Sequence, residues 1–327
     1  AKDPMLADVK FFCPGCDIRQ IYGNRLPQKK QIGEYNCGFQ DAMRRFLKGD
    51  EDQINSFQYY VKKNPAGCGT IQYMANHDGF TLADLVSYDY RHNEENGESN
   101  RDGTGYNYSW NCGAEGPTRR TAILELRRRQ MRNAVLLLML SQGTPLLLGG
   151  DEFGNSQGGN NNAYCQDNAT GWTDWSSARK FAGFTEFVKS VIRFRKAHPI
   201  LHMPCELRAT DYRSLGWPEI SFHSERAWYA NQENTCREIG VLYCGAYARK
   251  EDGSPDDFLY VIYNMHWSDH VFALPDLPEE LRWHLAMDSG KKDEEAVCAA
   301  GEEIPLKEKK SLKVGPRRIL VLIGKQG

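Results

Sequence analysis

The sequence predicts an α/β region with parallel strands, followed by a β-rich module. In the first part an apolar run ends abruptly at polar residues in Ile71–Asp78, and the same pattern recurs where Pro145–Gly150 is followed by Asp151 and Glu152. In the second part, from Ile200 onward, short alternating or β-rich runs are separated by turn-forming residues. Catalytic side chains of parallel α/β enzymes lie where a buried strand ends and its loop begins. We therefore expect two strand ends to present acids to one shared face.

The elements before residue 90 follow from local pattern. Val9–Cys13 is predicted as a short strand, and Asp41–Lys48 as a helix that ends at Gly49, because glycine readily takes the left-handed conformation that stops a helix. Ile71–Ala75 is the next predicted strand, and Leu82–Tyr88 a short helix.

A long polar loop, 91–117, then precedes the strongest helical pattern of the chain. The loop contains Tyr106, Tyr108 and Trp110, which argue against disorder, and loops of this length in compact proteins are usually functional. Thr118–Gln142 has apolar residues at helical spacing and a stop at Gly143. Its second half is apolar nearly all round, so we expect it to be deeply packed.

The remaining elements complete the α/β region and define the second module. Pro145–Gly150 is predicted as a buried strand, Gly154–Trp175 as a polar loop, and Phe181–Ala197 as an amphipathic helix. The later runs predict an antiparallel β-sandwich of about 125 residues. The expected domains are therefore residues 1–199 and 200–327. The predicted strands of the sandwich are 220–223, 239–247, 258–264, 270–274, 281–287 and 318–323.

Composition excludes several classes of function. The 327 residues are 26% charged and 40% hydrophobic with a formal net charge of −2, which favours neither nucleic acid nor anionic lipid as a partner. Arg127–Arg129, the dense basic run, is interpreted as a solvated helix face. The most apolar stretch, Ala134–Leu140, is far shorter than the roughly 20 residues that span a bilayer. We expect a cytoplasmic protein without a membrane partner.

The ten cysteines show no repeating disulfide spacing, and several lie in apolar runs. Buried reduced thiols are the simpler interpretation. Cys13 and Cys16 form a Cys-x-x-Cys pair, which leaves zinc binding or redox exchange open as an alternative. No second pair at this spacing follows, so we expect neither a metal nor a cofactor.

Four motifs in order give the chain a family resemblance. Asn76–Tyr88 (NHDGFTLADLVSY) resembles a late signature of the α-amylase superfamily, in its isoamylase and bacterial glycogen-debranching branch. Ser109–Thr118, Gln142–Pro145 with Gly150–Gly154, and Asn160–Asn168 are similar to further stretches of that branch. Tyr263-Asn-Met-His-Trp267 also looks like part of the family's C-terminal domain.

The resemblance implies a fold and a reaction. The family fold is a (β/α)₈ (TIM) barrel followed by a β-sandwich, so this chain corresponds to a partial barrel, its second half, plus the sandwich. The family reaction is retaining hydrolysis of α-1,6 branch points in glycogen or related glucans, which needs a nucleophilic carboxylate and an acid about 5 Å apart. Asp78 matches a third carboxylate that holds and distorts the sugar, and His77 matches a neighbour that hydrogen-bonds it.

The chain departs from the family at its acid. Asp3-Pro-Met-Leu-Ala-Asp8 is similar to the family's approach to the fifth barrel strand, and the alignment sets Pro14 at the acid position, where proline cannot exchange a proton. The nucleophile would lie upstream of Ala1. The chain alone is therefore expected to be inactive as a glycosidase, with branched α-glucan and the first half of the barrel as partners. The alternative is a non-catalytic α-glucan-binding or regulatory subunit.

The candidate site residues carry structural alternatives. Asn76–Asp78 before a glycine also suits a turn, Asp151 and Glu152 also suit a loop cap, aromatic residues of the loops also suit packing, and Asn160–Asn162 also suit a turn. Glu115 is not expected to replace the acid. Asp78 is the predicted catalytic carboxylate, and the predicted substrate-binding residues are Asn76, His77, Trp110, Asp151, Glu152 and Tyr164.

Overall fold

The computed structural model describes residues 4–6, 8–15, 30–308 and 310–327. A parallel sheet opens the fold, with its four strands hydrogen-bonded in the order in which they occur along the chain. The strands predicted near residues 9–13 and 71–75 are confirmed, whereas the second strand is not anticipated by the sequence. The strands are β1 (Phe11–Cys13), β2 (Ile32–Tyr35), β3 (Gly69–Tyr73) and β4 (Thr144–Leu146).

Helices connect and cover these strands. The first begins where the Asn36 side chain accepts a hydrogen bond from the Phe39 N–H at 3.2 Å, and it ends at Gly49, whose φ of 87° is left-handed as predicted. The predicted helix at 82–88 ends earlier, at Leu85. The helices are α1 (Cys37–Lys48), α2 (Ile54–Lys62), α3 (Leu82–Leu85), α4 (Thr121–Met139), α5 (Ser177–Lys180) and α6 (Ala182–Ala197). Single 3₁₀ turns are Pro4–Leu6, Glu94–Asn96, Asp151–Phe153, Ala163–Cys165, Pro199–His202, Gly245–Tyr247 and Asp293–Glu295.

Helix α4 is the centre of the α/β region. Residues 134–140, from its second half through the residue that follows it, are all buried, as the all-round apolar pattern predicts. The interpretation of Arg127–Arg129 as a solvated face is wrong, because Arg127 is buried and donates hydrogen bonds to the backbone carbonyls of Gly116 (2.8 Å) and Asn111 (3.1 Å). The long loop before the helix wraps around this guanidinium, which therefore organises the loop.

Strand β4 differs from the buried strand predicted at Pro145–Gly150. The strand is Thr144–Leu146, and it lies at the edge of the described sheet with only β3 beside it. Leu146, Leu147 and Leu148 are consequently only partly buried. An edge position explains the difference, since one side of the strand has no neighbouring strand among the described residues.

The second module is built on a six-stranded antiparallel sheet with the order β10-β9-β12-β7-β6-β5, accompanied by the antiparallel pair β11-β8. Strands β6, β7 and β12 are apolar along most of their length and form the core. The strands are β5 (Ile220–His223), β6 (Glu238–Tyr243), β7 (Leu259–Asn264), β8 (His270–Ala273), β9 (Leu281–Asp288), β10 (Ile304–Pro305), β11 (Ser311–Val314) and β12 (Arg318–Gln326).

Two arginines of the β module hold the end of helix α1. Arg237 Nε donates to the Gly49 carbonyl at 2.7 Å, and Arg317 Nη1 donates to the Lys48 carbonyl at 2.6 Å. The last carbonyls of a helix lack partners within the helix and carry partial negative charge, so cationic donors suit them. We call Arg237 and Arg317 the arginine clamp.

A second junction lies where helix α6 leads into the β module. His198 Nδ1 lies 2.9 Å from Asp256 Oδ1, and Asp256 Oδ2 accepts the Ile200 N–H at 2.9 Å. Both side chains are buried. This junction coincides with the predicted boundary between residues 199 and 200, and the division into two domains stays a prediction.

The structure also bears on the cysteines and on membrane spans. Cys13 is disulfide-bonded, which fits the redox alternative left open for the Cys-x-x-Cys pair, while Cys16 lies outside the described residues. Of the eight free cysteines in the described part of the chain, four are buried, namely Cys68, Cys112, Cys236 and Cys244. Among the described residues, no helix has both the length and the apolar character needed to cross a bilayer.

Candidate functional site

The carboxyl ends of the parallel strands meet at one edge of the sheet. Pro14 follows β1, Asn36 follows β2, Asn76–Asp78 follow β3 by two residues, and Asp151 lies a short turn beyond β4. Because all four strands run in the same direction, their following residues lie on the same edge. This edge is the candidate functional site, as the sequence predicts.

The Asn76–Asp78 corner is open to solvent. Asn76 Oδ1 accepts a hydrogen bond from the Asp78 N–H at 2.9 Å, which forms an Asx turn. This turn fixes the backbone and does not involve the Asp78 carboxylate. His77 and Asp78 are exposed, and Gly79 turns the chain with a φ of 108°. The Gly79 N–H then donates to the Asn161 carbonyl at 3.1 Å. Residues 76–78 therefore form a turn and also expose the polar side chains of His77 and Asp78.

Asp151 occupies the opposite environment. Its side chain is 2% exposed, and Oδ1 accepts the Leu82 N–H at 2.8 Å, which caps the start of helix α3. Burial raises the pKa of Asp151 to about 7, although the hydrogen bond from Leu82 and the charge of Arg44 oppose the shift. The carboxyl group thus joins the strand ends of β3 and β4. Contact with a substrate would require it to leave this position.

Arg44 is a site residue that sequence reasoning missed. It lies on helix α1, is 3% exposed, and donates from Nε to the Met74 carbonyl at 2.7 Å and from Nη1 to the Asn107 carbonyl at 3.0 Å. Burial lowers the pKa of its guanidinium to about 10, so the group remains charged at neutral pH. Its Nη2 is buried without an acceptor among the described residues. Arg44 therefore fixes the loop between β3 and Asn76.

An aromatic row crosses the sheet toward this corner. The rings of Phe12 and Tyr35 are 6.3 Å apart, and those of Tyr35 and Tyr73 are 6.1 Å apart, both in edge-to-face geometry. Phe12 is 62% exposed, whereas Tyr73 is buried, and burial raises the pKa of Tyr73 to about 12. The row therefore ends as an open aromatic surface at strand β1.

Glu152 is more accessible than its buried neighbour Asp151. Its Oε2 accepts the Gly150 N–H at 2.8 Å, and it lines a groove of about 450 Å³ together with Phe153 and Trp175. The two acids after β4 are therefore in different environments. Glu152 remains partly accessible, and its predicted contact with substrate stays a prediction.

Asparagine side chains interlock the two polar loops. Asn93 Nδ2 donates to Asn161 Oδ1 at 2.8 Å, Asn160 Nδ2 donates to Asn96 Oδ1 at 2.7 Å, and Asn162 Nδ2 donates to Asp102 Oδ2 at 2.7 Å. Asn160 and Asn161 are buried. These amides hold the loops together, which accounts for the asparagine-rich sequence.

The two aromatic residues predicted to bind substrate, Trp110 and Tyr164, lie in different environments. Trp110 is partly buried, and the Arg317 guanidinium of the clamp lies 4.9 Å from its ring centroid, so this tryptophan packs between the modules. Tyr164 is 88% exposed and follows the asparagine network directly. Of the two, Tyr164 is free to meet a ligand.

The carboxyl groups of Glu115 and Asp84 accept hydrogen bonds from the loops. Burial acts to raise the pKa of Glu115, but hydrogen bonds from Asp89 N–H (2.9 Å) and other donors outweigh it and lower the pKa. Asp84 is buried and accepts hydrogen bonds from Ser156 and, at 2.8 Å, from the Gln157 N–H, while burial raises its pKa. Both carboxyl groups have loop-building roles, and the expectation that Glu115 is not a substitute acid stays a prediction.

One cluster has the ligand types of a metal site. His198, Asp256 and Asp257 offer donor atoms within 4.8 Å of one another. Asp256 uses both carboxylate oxygens for His198, Ile200 and Asp257 hydrogen bonds, and Asp257 Oδ2 is 2.6 Å from Lys250 Nζ. Internal hydrogen bonds and ion pairs therefore account for the arrangement at the module junction.

Comparison with known proteins agrees with the strand-end motifs. The chain is 40% identical over 307 residues to the "Glycogen operon protein GlgX homolog" of Mycobacterium tuberculosis, covering 88% of this chain and 42% of that protein. It is 33% identical over 300 residues to "Isoamylase 1, chloroplastic" of Oryza sativa subsp. japonica, covering 89% and 35%. The chain belongs to the isoamylase and glycogen-debranching branch of the α-amylase superfamily. No protein-family profile matches it.

The fold can also be compared with solved structures. Pullulanase type I from Bacillus subtilis, in a structure with maltose, superimposes with a TM-score of 0.62 at 17% identity, covering 96% of this chain and 39% of the pullulanase. Similarity at this identity establishes the fold alone. This family member spans about 35 to 42% of the length of the two relatives described above.

Proposed function

We propose that this chain forms the sugar-holding part of a debranching site for branched α-glucans, whose α-1,6 linkages the complete enzyme hydrolyses. The observation that carries the proposal is the Asn76–Asp78 corner, exposed at the shared edge of four parallel strand ends. His77 and Asp78 offer a donor and an acceptor for sugar hydroxyls, and Tyr164 and Phe12 offer exposed aromatic faces. Cytoplasmic location remains part of this proposal.

We further propose that the parallel sheet is half of a (β/α)₈ barrel, followed by the family's β-sandwich. The sequential order of the strands and the half-exposed leucines beside β4 support this, because a closed barrel would cover that edge. The partner that fits is the other half of the barrel. Mixing the chain with the first four β/α units of the mycobacterial relative is expected to give a 1:1 complex by gel filtration; two separate peaks would count against the barrel.

The chain by itself is proposed not to hydrolyse glucan. Pro14 is exposed immediately after β1, where the family resemblance expects the acid, and proline has no proton to give. A retaining glycosidase needs both a nucleophile and an acid about 5 Å apart. Incubation with glycogen should therefore release no linear maltooligosaccharides. Release that disappears in Asp78→Ala would overturn the inactivity.

A substitution tests the acid position directly. In the complex with the first barrel half, Pro14→Glu is expected to raise debranching activity by about 100-fold, the usual range for a positioned general acid. Pro14→Gln, which has a similar size without the proton, is the matched control and should not raise activity. Equal rates for both variants would show that Pro14 does not occupy the acid position.

Pro14 also favours a second candidate function, a non-catalytic glucan-binding subunit. Affinity electrophoresis in gels containing amylopectin distinguishes binding from turnover. The unmodified chain should be retarded, and His77→Ala/Asp78→Ala should migrate faster than it does. Glu225→Ala, an exposed change in the β module, serves as the control and should be retarded like the unmodified chain. A lack of retardation for the unmodified chain would exclude both the binding subunit and the sugar-holding corner.

A further inference from the structure

A groove of about 620 Å³ lies between helix α4 and the segment 290–295 of the β module. Its lining is rich in cations and belongs to neither the strand-end site nor the arginine clamp. Six basic side chains contribute to it, against four acidic ones, which gives the groove an excess of positive charge. The basic residues are Arg128, Arg129, Arg132, Lys180, Lys291 and Lys292, and the acidic ones are Glu125, Asp293, Glu294 and Glu295.

The arginines of the groove are held in position. The Arg132 side chain is 5% exposed, donates from Nε to the Ser289 carbonyl at 3.0 Å, and pairs with Asp293. Arg128 Nε is 3.4 Å from the same carboxylate, and its guanidinium lies 3.8 Å from the centroid of the Phe181 ring. Asp293 is therefore already shared between two cations, and the arginine planes are oriented before any ligand arrives.

Several donors on the residues that line this groove have no partner among the described residues. Arg128 Nη1 and Arg129 Nε are buried, and neither has a hydrogen-bond acceptor among the residues that the structure describes. Lys180, Lys291 and Lys292 enter no ion pair within the part of the chain that the structure describes. Unpaired cationic donors beside an open groove favour an anion that supplies the missing oxygen acceptors.

Helix α6 contributes further positive potential. It runs for 16 residues from Ala182, and Gly183, in its first turn, lines the groove. The free N–H groups at the start of a helix carry partial positive charge and bind oxyanions. The helix terminus and the arginine cluster therefore border the same space, in which the side chains of Asp293 and Glu294 lie close to Gly183.

We propose that this groove binds a small, multiply charged phosphate compound. Guanidinium forks and ammonium groups recognise phosphate oxygens, and a volume near 620 Å³ falls in the range of small-molecule sites. A single inorganic phosphate would fill little of this space, so the ligand is a diphosphate or a phosphorylated sugar. The site lies at the contact of the two modules, and the proposal does not depend on glucan binding.

Calorimetric titration of the full chain at low salt tests the site. Pyrophosphate is expected to bind with 1:1 stoichiometry, and Lys291→Ala/Lys292→Ala to weaken it about tenfold by removing two charge-assisted contacts. A hexose monophosphate that binds more tightly than pyrophosphate would identify a sugar phosphate as the ligand class, whereas the reverse order would identify an inorganic diphosphate. Either order supports the site.

A matched control separates a built site from general attraction. Lys307→Ala/Lys310→Ala removes the same charge from exposed positions outside the groove and should change affinity less than about twofold. Pyrophosphate should also protect Lys291 and Lys292 from acetylation, read by mass spectrometry, and leave Lys307 and Lys310 reactive. Unsaturable binding, equal losses in both double variants, or equal reactivity of all four lysines would overturn the proposal.

Discussion

The ends of strands β3 and β4 have the same sequence pattern and opposite environments. After β3 the acid Asp78 is exposed, and only the backbone around it is fixed, through Asn76. After β4 the acid Asp151 is 2% exposed and caps helix α3. An apolar run that ends in acids therefore predicts where a strand ends, but it does not predict whether those acids are exposed or buried. Exposure depends on which other segments pack above the edge, here helices α1 and α3.

The largest effect is expected at the residue that supports both strand ends. Arg44→Ala removes donors from two carbonyls, those of Met74 and Asn107, and empties a buried space, so it should lower the free energy of unfolding by about 3 kcal/mol. Urea denaturation followed by circular dichroism measures the change. Arg45→Ala, next to it on α1 but paired on the surface with Asp50, should cost less than about 0.5 kcal/mol. Similar decreases in the free energy of unfolding for the two variants would show that Arg44 does not support the strand ends.

The comparison between the two acids can be made directly. Asp151→Ala loses the buried hydrogen bond to the Leu82 N–H and should lower the free energy of unfolding by about 2 kcal/mol. Asp78→Ala should change it by less than about 0.5 kcal/mol, because the exposed carboxylate holds no other part of the fold. Equal values in the same urea titrations would contradict the division into a buried and an open strand end.

The same contrast predicts a dependence on pH. The pKa of Asp151 is raised to about 7, against about 3.9 in an unfolded chain. Folding therefore takes up a proton between these values, and this carboxyl group stabilises the fold fully below about pH 4 and progressively less as the pH rises to about 7. Asp84, whose pKa is also raised, acts in the same direction.

Asp151→Asn should flatten that dependence. The amide keeps an oxygen for Leu82 and cannot ionise, so stability measured by urea denaturation at pH 5 and pH 7.5 should differ less in the variant than in the unmodified protein. Asp78→Asn should leave the difference unchanged. An undiminished pH effect in Asp151→Asn would show that Asp151 is already ionised in the folded chain at pH 5.

The smallest expected effect on stability is at His77. The side chain is exposed, and His77→Ala should change the thermal midpoint by less than about 2 °C, as surface changes usually do. Retardation in amylopectin gels should nonetheless decrease. A loss of stability without a loss of retardation would mean that His77 shapes the corner and does not meet the glucan.

Much of this fold follows from the sequence where the local pattern is strong. Helix α4 lies within the range that periodicity predicts, and strand β3 overlaps its predicted range but begins two residues earlier, at Gly69. Long or apolar runs with clear stops leave few alternatives. Strand β2 was missed because Ile32-Gly-Glu-Tyr35 is short and includes residues that disfavour strands. Helix α2 was missed although Ile54, Phe57 and Val61 are buried at helical spacing.

The site was less predictable than the fold because its contacts are distant in sequence. The motif residues Asn76–Asp78 were identified by resemblance, but Arg44 has no local signature and acts on carbonyls 30 and 63 residues away. Arg127 was misjudged for the same reason, since its acceptors come from the preceding loop. Burial of a charged group depends on acceptors that only tertiary structure brings together.

The arginine clamp gives the β module a mechanical role. Arg237 and Arg317 bind the end of helix α1 at Gly49 and Lys48. This end lies about one helical turn beyond Arg44, and Arg44 fixes the loop that carries the exposed corner. A tilt of the β module would therefore displace helix α1, the same helix whose Arg44 fixes the backbone before Asn76–Asp78. The β module therefore supports the position of this corner through helix α1, so loosening the clamp should make the corner more mobile while the residues of the corner are unchanged.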